Sequence, residues 1–223
     1  MLTHALHETL HRLDNVATAS GRPLPRLLAV SKKQVATAVA ELAAAGQHAF
    51  GENYVQEAAV KQAALPGMAL EWHLIGHLQS NKAKEAAALF DWVQTVDREP
   101  LVLALGRHRG ADRAPLNVLI QVNIDDEASK HGCRPEDVPG LARAIAAEPR
   151  LCLRGLMVIP TPHPETELRR VAFRRTRALF DELRAAHPQV DTLSMGMSDD
   201  LEIAIQEGST MVRVGTALFG RRA

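Results

Sequence analysis

The sequence predicts an α/β protein, a single-domain (β/α)₈ TIM barrel over residues 1–223 with an additional N-terminal helix. Short apolar runs typical of buried strands alternate with alanine-rich helical patterns along the chain. Eight such runs are present, and strands that alternate with helices favour parallel pairing through right-handed crossovers. A count of eight favours closure into a barrel over an open sheet. No linker, low-complexity tract or shift in composition marks a second domain.

The chain opens with a pattern typical of an amphipathic helix, predicted over residues 3–19. Within it, apolar side chains recur at spacings of three and four residues, which places Leu6, Leu10, Leu13 and Val16 on one face.

The strand and helix predictions follow in order. Strands are predicted at residues 26–31, 47–51, 71–75, 92–96, 116–122, 153–159, 191–195 and 210–214. Helices are predicted between them at residues 35–45, 54–64, 80–90, 98–108, 135–147, 164–186 and 199–206. Gly46 is a typical helix C-terminal stop, and Pro135 and Pro164 are typical helix starts.

The composition is that of an ordinary globular protein, with 46% hydrophobic and 23% charged residues. The formal net charge is +0, so no overall field attracts nucleic acid or an anionic membrane surface. The apolar stretches are too short to cross a bilayer. The N-terminus, with His4, His7 and Glu8, lacks the basic start and apolar block of a signal peptide. We therefore expect a cytoplasmic protein without nucleic-acid or membrane partners.

The two cysteines, Cys133 and Cys152, are too few for a disulfide framework. No Cys/His cluster has the spacing of zinc ligands, so no metal site is predicted. Cys133 is interpreted as an ordinary small residue.

Lys32 lies just past the first predicted strand, where the side chains at the rim of an α/β core form pockets. A lysine amine that is partly dehydrated at such a rim holds its proton less tightly and can attack a carbonyl to form a Schiff base. The alternative is that Lys32 faces water, which is the usual state of a lone lysine.

The last two strand ends carry residues suited to a phosphate group. Loops after strands seven and eight commonly form the phosphate site of such barrels. Gly215 removes side-chain bulk there, Thr216 can donate from its hydroxyl and its backbone, and Ser198 can donate too. The alternative for Ser198 is a helix N-cap, with Asp199 and Asp200 in the first turn.

Arg213 lies near the end of the last inner strand, where a permanently charged guanidinium is costly without a partner. It can donate to a ligand heteroatom beside the phosphate, or it can form a surface ion pair. A Schiff-base lysine, a phosphate site and a ring-facing arginine together match the needs of pyridoxal 5′-phosphate (PLP).

Three other polar residues have simpler interpretations beside functional ones. Asn53 can bond the phenolic oxygen of the cofactor or cap the helix that begins near Tyr54. His73 lies in an apolar strand and is interpreted as a hydrogen-bonded core histidine. Lys130 lies in a charged loop, where we expect it to be solvated, and it remains a candidate second amine for a transient contact with an aldehyde.

Several stretches resemble signature motifs of the pyridoxal phosphate homeostasis proteins, also called the proline synthase co-transcribed bacterial homolog family. The resemblance runs from about Leu27 to Arg221. It is carried by residues 28–32 (LAVSK), 50–57 (FGENYVQE), 72–82 (WHLIGHLQSNK), 129–132 (SKHG), 153–160 (LRGLMVIP), 193–198 (LSMGMS) and 212–220 (VRVGTALFG).

The resemblance implies a single-domain barrel like the N-terminal domain of alanine racemase, with PLP covalently bound to Lys32. It further implies that Arg213 faces the pyridine nitrogen and that Ser198, Gly215 and Thr216 hold the phosphate. The family often continues Val-Ser-Lys with Thr-Lys-Pro, whereas here residues 33–35 are Lys-Gln-Val. This departure leaves Lys32 in place and weakens any role carried over to the second lysine of that stretch.

The family is associated with balanced PLP and amino-acid pools, without an established catalytic activity. A racemase needs acid–base groups on both faces of the substrate carbon, and this chain has one tyrosine, Tyr54, and no second domain to bring another base. A charged Arg213 against the ring nitrogen would leave that nitrogen unprotonated and weaken the ring as an electron sink. We therefore expect a protein without catalytic residues that holds PLP as an internal Schiff base on Lys32 and releases it to apo-enzymes.

Two alternatives stay open. A PLP-dependent amino-acid racemase would use the same lysine. A lysine Schiff-base aldolase that acts on a sugar phosphate would use the same phosphate loops without a bound chromophore. We expect a monomer, because the N-terminal helix can cover the apolar helices of the barrel.

Overall fold

Eight parallel strands close into a barrel in the computed structural model, which describes residues 1–127 and 130–220. The strands are β1 (Arg26–Val30), β2 (Ala49–Glu52), β3 (Glu71–Leu74), β4 (Trp92–Val96), β5 (Leu116–Val122), β6 (Leu151–Val158), β7 (Thr192–Ser194) and β8 (Met211–Val214). They follow one another around the ring in sequence order, and β8 pairs with β1 to close it.

A helix follows each strand, and one further helix precedes the barrel. The helices are α1 (Leu2–Ser20), α2 (Ala36–Ala44), α3 (Val55–Ala63), α4 (Ala83–Leu89), α5 (Glu99–His108), α6 (Val138–Ala146), α7 (Thr166–Ala186), α8 (Leu201–Gln206) and α9 (Thr216–Phe219). Short 3₁₀ turns at Ser80–Lys82 and Pro135–Asp137 lead into α4 and α6.

The predicted fold is confirmed, and each predicted strand and helix has a counterpart among the described residues. The sequence does not predict α9, because four residues are too few to show a periodic pattern. Pro164 does not start a helix as predicted, because α7 begins at Thr166. Ser129 and Arg221, which belong to the resemblance described above, lie outside the described residues.

Helix α1 lies against α2, α8 and α9 on the outside of the barrel. Its buried face consists of Leu6, Thr9, Leu13 and Ala17. Leu10 was predicted on this face and is instead exposed, because the contact stripe runs through positions 6, 9, 13 and 17. Whether α1 leaves the chain monomeric stays a prediction.

The parallel strands direct all their carboxyl ends to one end of the barrel, where loops such as those after β1, β2, β7 and β8 meet. This end carries the cavity described below. Within the described ranges, the helices are all too short or too polar to cross a bilayer.

Candidate functional site

A cavity of about 250 Å³ opens at the carboxyl end of the barrel, between the ends of β1, β2 and β8 and the loop after β7. All six residues predicted to bind a cofactor line it, namely Lys32, Asn53, Ser198, Arg213, Gly215 and Thr216. Its remaining lining is mostly apolar and consists of Val30, Ile75, Ile159, Met197 and Asp199. The structure therefore brings together predicted residues that are up to 184 positions apart in the sequence, from Lys32 to Thr216.

Lys32 occupies a tight turn directly after β1 and is half-buried. The turn is closed by the amide of Gln34, which donates to Ser31 O (3.0 Å), and Ser31 N donates in turn to Gly51 O on β2 (3.0 Å). Lys33 adopts a left-handed backbone conformation (φ 62°), and its amide donates to the carboxylate of Glu57. Lys32 thus lines the cavity, whereas Lys33 does not.

A buried cluster of charged residues supports this turn from behind. Lys61 Nζ donates to Ser31 O (2.6 Å), to Glu52 Oε1 (2.7 Å) and to Glu57 Oε1 (2.7 Å), although Lys61 is almost fully buried. Ser31 Oγ also donates to Glu52 Oε1 (2.5 Å). The backbone on which Lys32 stands is therefore held by side chains of β2 and α3.

Burial raises the pKa of Glu52, although the hydrogen bonds from Lys61 and Ser31 and the charge of Lys61 oppose the rise. Its second carboxylate oxygen, Oε2, is buried and has no hydrogen-bond partner among the described residues. Sequence patterns alone did not reveal this cluster, although the spacing of four residues between Glu57 and Lys61 is typical of a helical ion pair.

Arg213 is only 4% exposed, so the surface ion pair considered above is wrong. Its Nη1 donates to Ser194 O (2.8 Å) and Ser194 Oγ (2.7 Å), and its Nη2 donates to Val158 O (2.8 Å). Burial lowers the pKa of Arg213 to about 10, which the charge of Asp200 opposes, so the guanidinium stays charged at neutral pH. These bonds use three of the five N–H groups of an arginine, and the other two make no hydrogen bond to the described residues. Arg213 also lines the cavity.

Ser198, Gly215 and Thr216 line the cavity from the loops after β7 and β8. Helix α9 begins at Thr216, and the first amides of a helix have no acceptor within it. Gly215 has an ordinary φ of −116°, and a Cβ built on it would meet nothing closer than Val30 O at 3.4 Å. Neither backbone conformation nor packing therefore requires glycine at position 215.

Ser198 is not the N-cap of α8, as one interpretation above had it. The N-cap is Asp200, whose Oδ1 accepts a hydrogen bond from Met197 N (2.6 Å) and so stiffens the loop itself. The carbonyl of Ser198 accepts from Arg12 Nη2 (3.3 Å), and Arg12 also pairs with Glu202 (2.5 Å). Helix α1 therefore braces the Ser198 loop, a contact that the sequence analysis missed.

Asn53 follows β2 and lines the cavity, and it is not a helix cap, because the N-cap of α3 is Tyr54. The backbone of Gly76 packs so closely on Asn53 that a Cβ on Gly76 would lie 2.1 Å from Asn53 O. Tyr54 is 58% exposed and lines a neighbouring cavity instead. The single tyrosine of the chain is thus outside the cavity that holds Lys32.

The other candidates lie away from the cavity lining. His73 is a buried, hydrogen-bonded core residue, as predicted, and stacks on Trp92 with ring centroids 5.0 Å apart. Lys130 donates to Thr161 Oγ1 (2.9 Å) and pairs with Glu127 (2.9 Å). Burial raises the pKa of the Cys133 thiol to about 12, which agrees with an unreactive small residue.

His77, Asp97 and His131, from the loops after β3, β4 and β5, form a cluster that sequence spacing did not reveal. The two imidazoles stack with centroids 3.7 Å apart and planes inclined by 12°. A nitrogen lone pair lies in the plane of its ring, and two nearly parallel planes share no point at which one ion could meet both lone pairs. We therefore interpret the pair as a stacking contact between two loops.

Comparison with known proteins places this geometry in context. The family model described as "Alanine racemase, N-terminal domain" matches residues 5–223. A curated relative from Pseudomonas aeruginosa, named "Pyridoxal phosphate homeostasis protein", is 53% identical over 213 residues, which cover 95% of this chain and 91% of that protein.

Two similar solved structures are those of PipY from Synechococcus elongatus. The form without PLP has a TM-score of 0.89 at 38% identity, and the form with PLP bound has a TM-score of 0.84 at 36% identity. Both comparisons cover 99% of this chain and 100% of the PipY chain.

Proposed function

Because the chain belongs to the pyridoxal phosphate homeostasis protein family and carries the alanine racemase N-terminal domain, we propose that it binds PLP and acts in PLP homeostasis. The observation that carries this proposal is the cavity lined by Lys32, Arg213 and the group Ser198, Gly215 and Thr216. In finer detail, we propose that Lys32 holds the cofactor as an internal Schiff base, and that the protein releases it to apo-enzymes.

The donor set of the cavity fits PLP. Lys32 supplies an amine at one side for the aldehyde. The hydroxyls of Ser198 and Thr216 and the first amides of α9 supply donors for an anionic phosphate. Arg213 supplies two further N–H groups for a ring heteroatom. When bound, PLP supplies a reactive carbonyl, and the surrounding residues fix its position.

The geometry supports a carrier over a racemase. A racemase needs a second acid–base group opposite the lysine, and Tyr54 lies outside the cavity lining. Arg213 stays charged next to the ring position, which favours an unprotonated ring nitrogen and hence a weak electron sink. The position of Tyr54 and the charge of Arg213 therefore favour a site that binds the PLP carbonyl without transforming an amino acid.

An absorption spectrum of purified protein incubated with PLP tests the proposal. We expect an imine band, and borohydride reduction followed by peptide mapping is expected to place the label on Lys32. Mixing the loaded protein with an apo-enzyme is expected to restore that enzyme's activity as the band declines. Absence of both band and label would refute PLP binding, and imine trapping only with a sugar phosphate would indicate the aldolase.

The racemase alternative has a separate test. Loaded protein is incubated in deuterated water with candidate amino acids, and deuterium at the α-carbon is measured by mass spectrometry. We expect no exchange above that of protein whose Lys32 has been reduced with borohydride. Exchange that needs unreduced Lys32 would establish the racemase instead.

Gly215→Ala is expected to weaken PLP binding about tenfold or more without unfolding the protein. The chain can accommodate the methyl group, but the phosphate can no longer approach the backbone, and hydrogen bonds to a charged group contribute about 1.5–3 kcal/mol. Titration of the variant with PLP and with pyridoxal, which lacks the phosphate, separates the causes. An equal loss for both ligands would contradict a phosphate site at Gly215.

A further inference from the structure

A row of polar side chains, all buried except that of Glu71, crosses the interior of the barrel below Arg213. Arg213 Nη1 contacts Ser194 Oγ (2.7 Å) on β7, and Ser194 Oγ contacts Gln94 Oε1 (2.7 Å) on β4. Gln94 Nε2 contacts His73 Nδ1 (2.9 Å) on β3, and His73 Nε2 contacts Glu71 Oε1 (2.6 Å) at the start of the same strand. We call these five residues the relay.

The orientation of the Gln94 amide sets the direction of every hydrogen bond in the relay. Arginine has only donors, so Ser194 Oγ accepts from Arg213, and it donates its own hydrogen to Gln94 Oε1. In this orientation, Gln94 Nε2 donates to His73 Nδ1 and also to Met211 Sδ (3.2 Å).

At the other end of the relay, the proton of His73 therefore sits on Nε2 and is donated to Glu71. The relay starts at a cation and ends at a carboxylate, with every donor pointing the same way.

Burial favours this neutral form of His73. Burial lowers the pKa of His73, and the nearby charge of Arg26 acts in the same direction, whereas Glu71 and Asp91 oppose them. Burial acts to raise the pKa of Glu71, but the hydrogen bond from His73, the charge that His73 carries when protonated, and the nearby Arg26 outweigh it and hold this pKa at about 2. Trp92 stacks on the imidazole and carries no charge.

We propose that Ser194, Gln94 and His73 are positioning residues for the cofactor, because the relay holds the Arg213 guanidinium in the one orientation that presents its remaining N–H groups to the cavity. This inference rests on the proposed PLP site. A second proton on His73 would require the Gln94 amide to turn over, and Ser194 would then lose the acceptor for its own proton. Arg213 is thereby coupled to a histidine that never touches the cofactor.

The first test needs no cofactor. Nitrogen-15 NMR of the His73 ring in unliganded protein at neutral pH is expected to report an unprotonated Nδ1 and a protonated Nε2. A protonated Nδ1 would overturn the relay, even if the protein binds PLP normally. Conversely, failure of the protein to bind PLP would refute the proposed function and leave this NMR result unaffected.

The second test measures PLP dissociation from Ser194→Ala, Gln94→Met and the double variant. Each single variant is expected to release PLP about tenfold faster or more, because a hydrogen bond to a charged group is lost or loosened. In each single variant, the pH at the midpoint of the imine-band titration is also expected to shift, because the Arg213 charge beside the ring is no longer held in place. If Gln94 acts through Ser194, the double variant is no worse than Ser194→Ala.

Gln121→Met is the matched control, because Gln121 is another buried glutamine of the barrel, on β5, and its amide donates to His131 O (3.3 Å) outside the relay. We expect this variant to release PLP at the wild-type rate, with an unshifted pH midpoint. Additive effects of Ser194→Ala and Gln94→Met, or an equal effect of Gln121→Met, would overturn the assignment of positioning residues.

Discussion

Lys32→Ala is expected to abolish the imine band that the protein forms with PLP, together with all borohydride-dependent labelling at this position. The reason is geometric, since Lys32 stands in the turn after β1 and lines the cavity beside Arg213, Gly215 and Thr216. The substitution removes a half-buried side chain at the cavity rim and leaves the buried core intact, so the variant is expected to remain folded without PLP. Absorption spectra and thermal unfolding of the same preparations check both parts.

Lys33→Asn is the matched control for this experiment. It removes a neighbouring amine but keeps a residue that tolerates the left-handed conformation at φ 62°. The amide that donates to Glu57 is also retained. We expect a band and a peptide label identical to those of the wild type. A label that moves to Lys33, or a band that survives in Lys32→Ala, would show that the anchor is a different amine.

Much of this site could be predicted because its residues follow strand ends. Lys32 follows the first apolar run and Arg213 lies near the end of the last one, and parallel strands bring their carboxyl ends to one end of a barrel. Gly215 and Thr216 are predicted to bind the phosphate for the same reason, because they directly follow the last strand. Their convergence on one cavity agrees with that reasoning, whereas the roles assigned to them remain proposals.

The supporting contacts could not be predicted, because they join side chains far apart in the chain. Arg12 meets Ser198 across 186 positions, and Ser194 meets Gln94 across 100. Every residue of β4 is buried, so alternation does not reveal that Gln94 points to the barrel interior. Periodicity identifies which residues are buried, but hydrogen-bond partners depend on the register of eight strands at once.

Lys61→Met is expected to destabilise the protein by about 3–5 kcal/mol, the usual cost of removing one partner of a buried ion pair. Lys61 neutralises Glu52, which is fully buried, and also bonds Ser31 O behind Lys32. Urea unfolding of the unliganded protein at neutral pH measures the cost. Lys82→Met is the control, because Lys82 forms an exposed pair with Glu85 (3.1 Å) whose loss should cost about 0–1 kcal/mol.

The pH dependence of the free energy of unfolding tests whether the unpaired charge of Glu52 causes the loss of stability in Lys61→Met. Burial already raises the pKa of Glu52 in the folded protein, and removal of Lys61 takes away the hydrogen bond and the charge of Lys61 that oppose the rise, so that only the bond from Ser31 still opposes it. A carboxyl whose pKa is higher when folded binds more protons in the folded state, so stability is lost as the pH rises through that value and regained as it falls. The deficit of Lys61→Met relative to wild type should therefore be greatest at neutral pH and shrink in mild acid.

Glu52→Gln in the Lys61→Met background should recover part of the loss at neutral pH, because no unpaired charge then remains buried at position 52. A deficit that is independent of pH, or that Glu52→Gln leaves unchanged, would mean that Lys61 acts by packing alone. If the cluster acts as inferred, Lys61→Met should also speed PLP release. The turn that carries Lys32 would then have lost the Lys61 bond to Ser31 O, so stability of the barrel and retention of the cofactor would depend on the same buried amine.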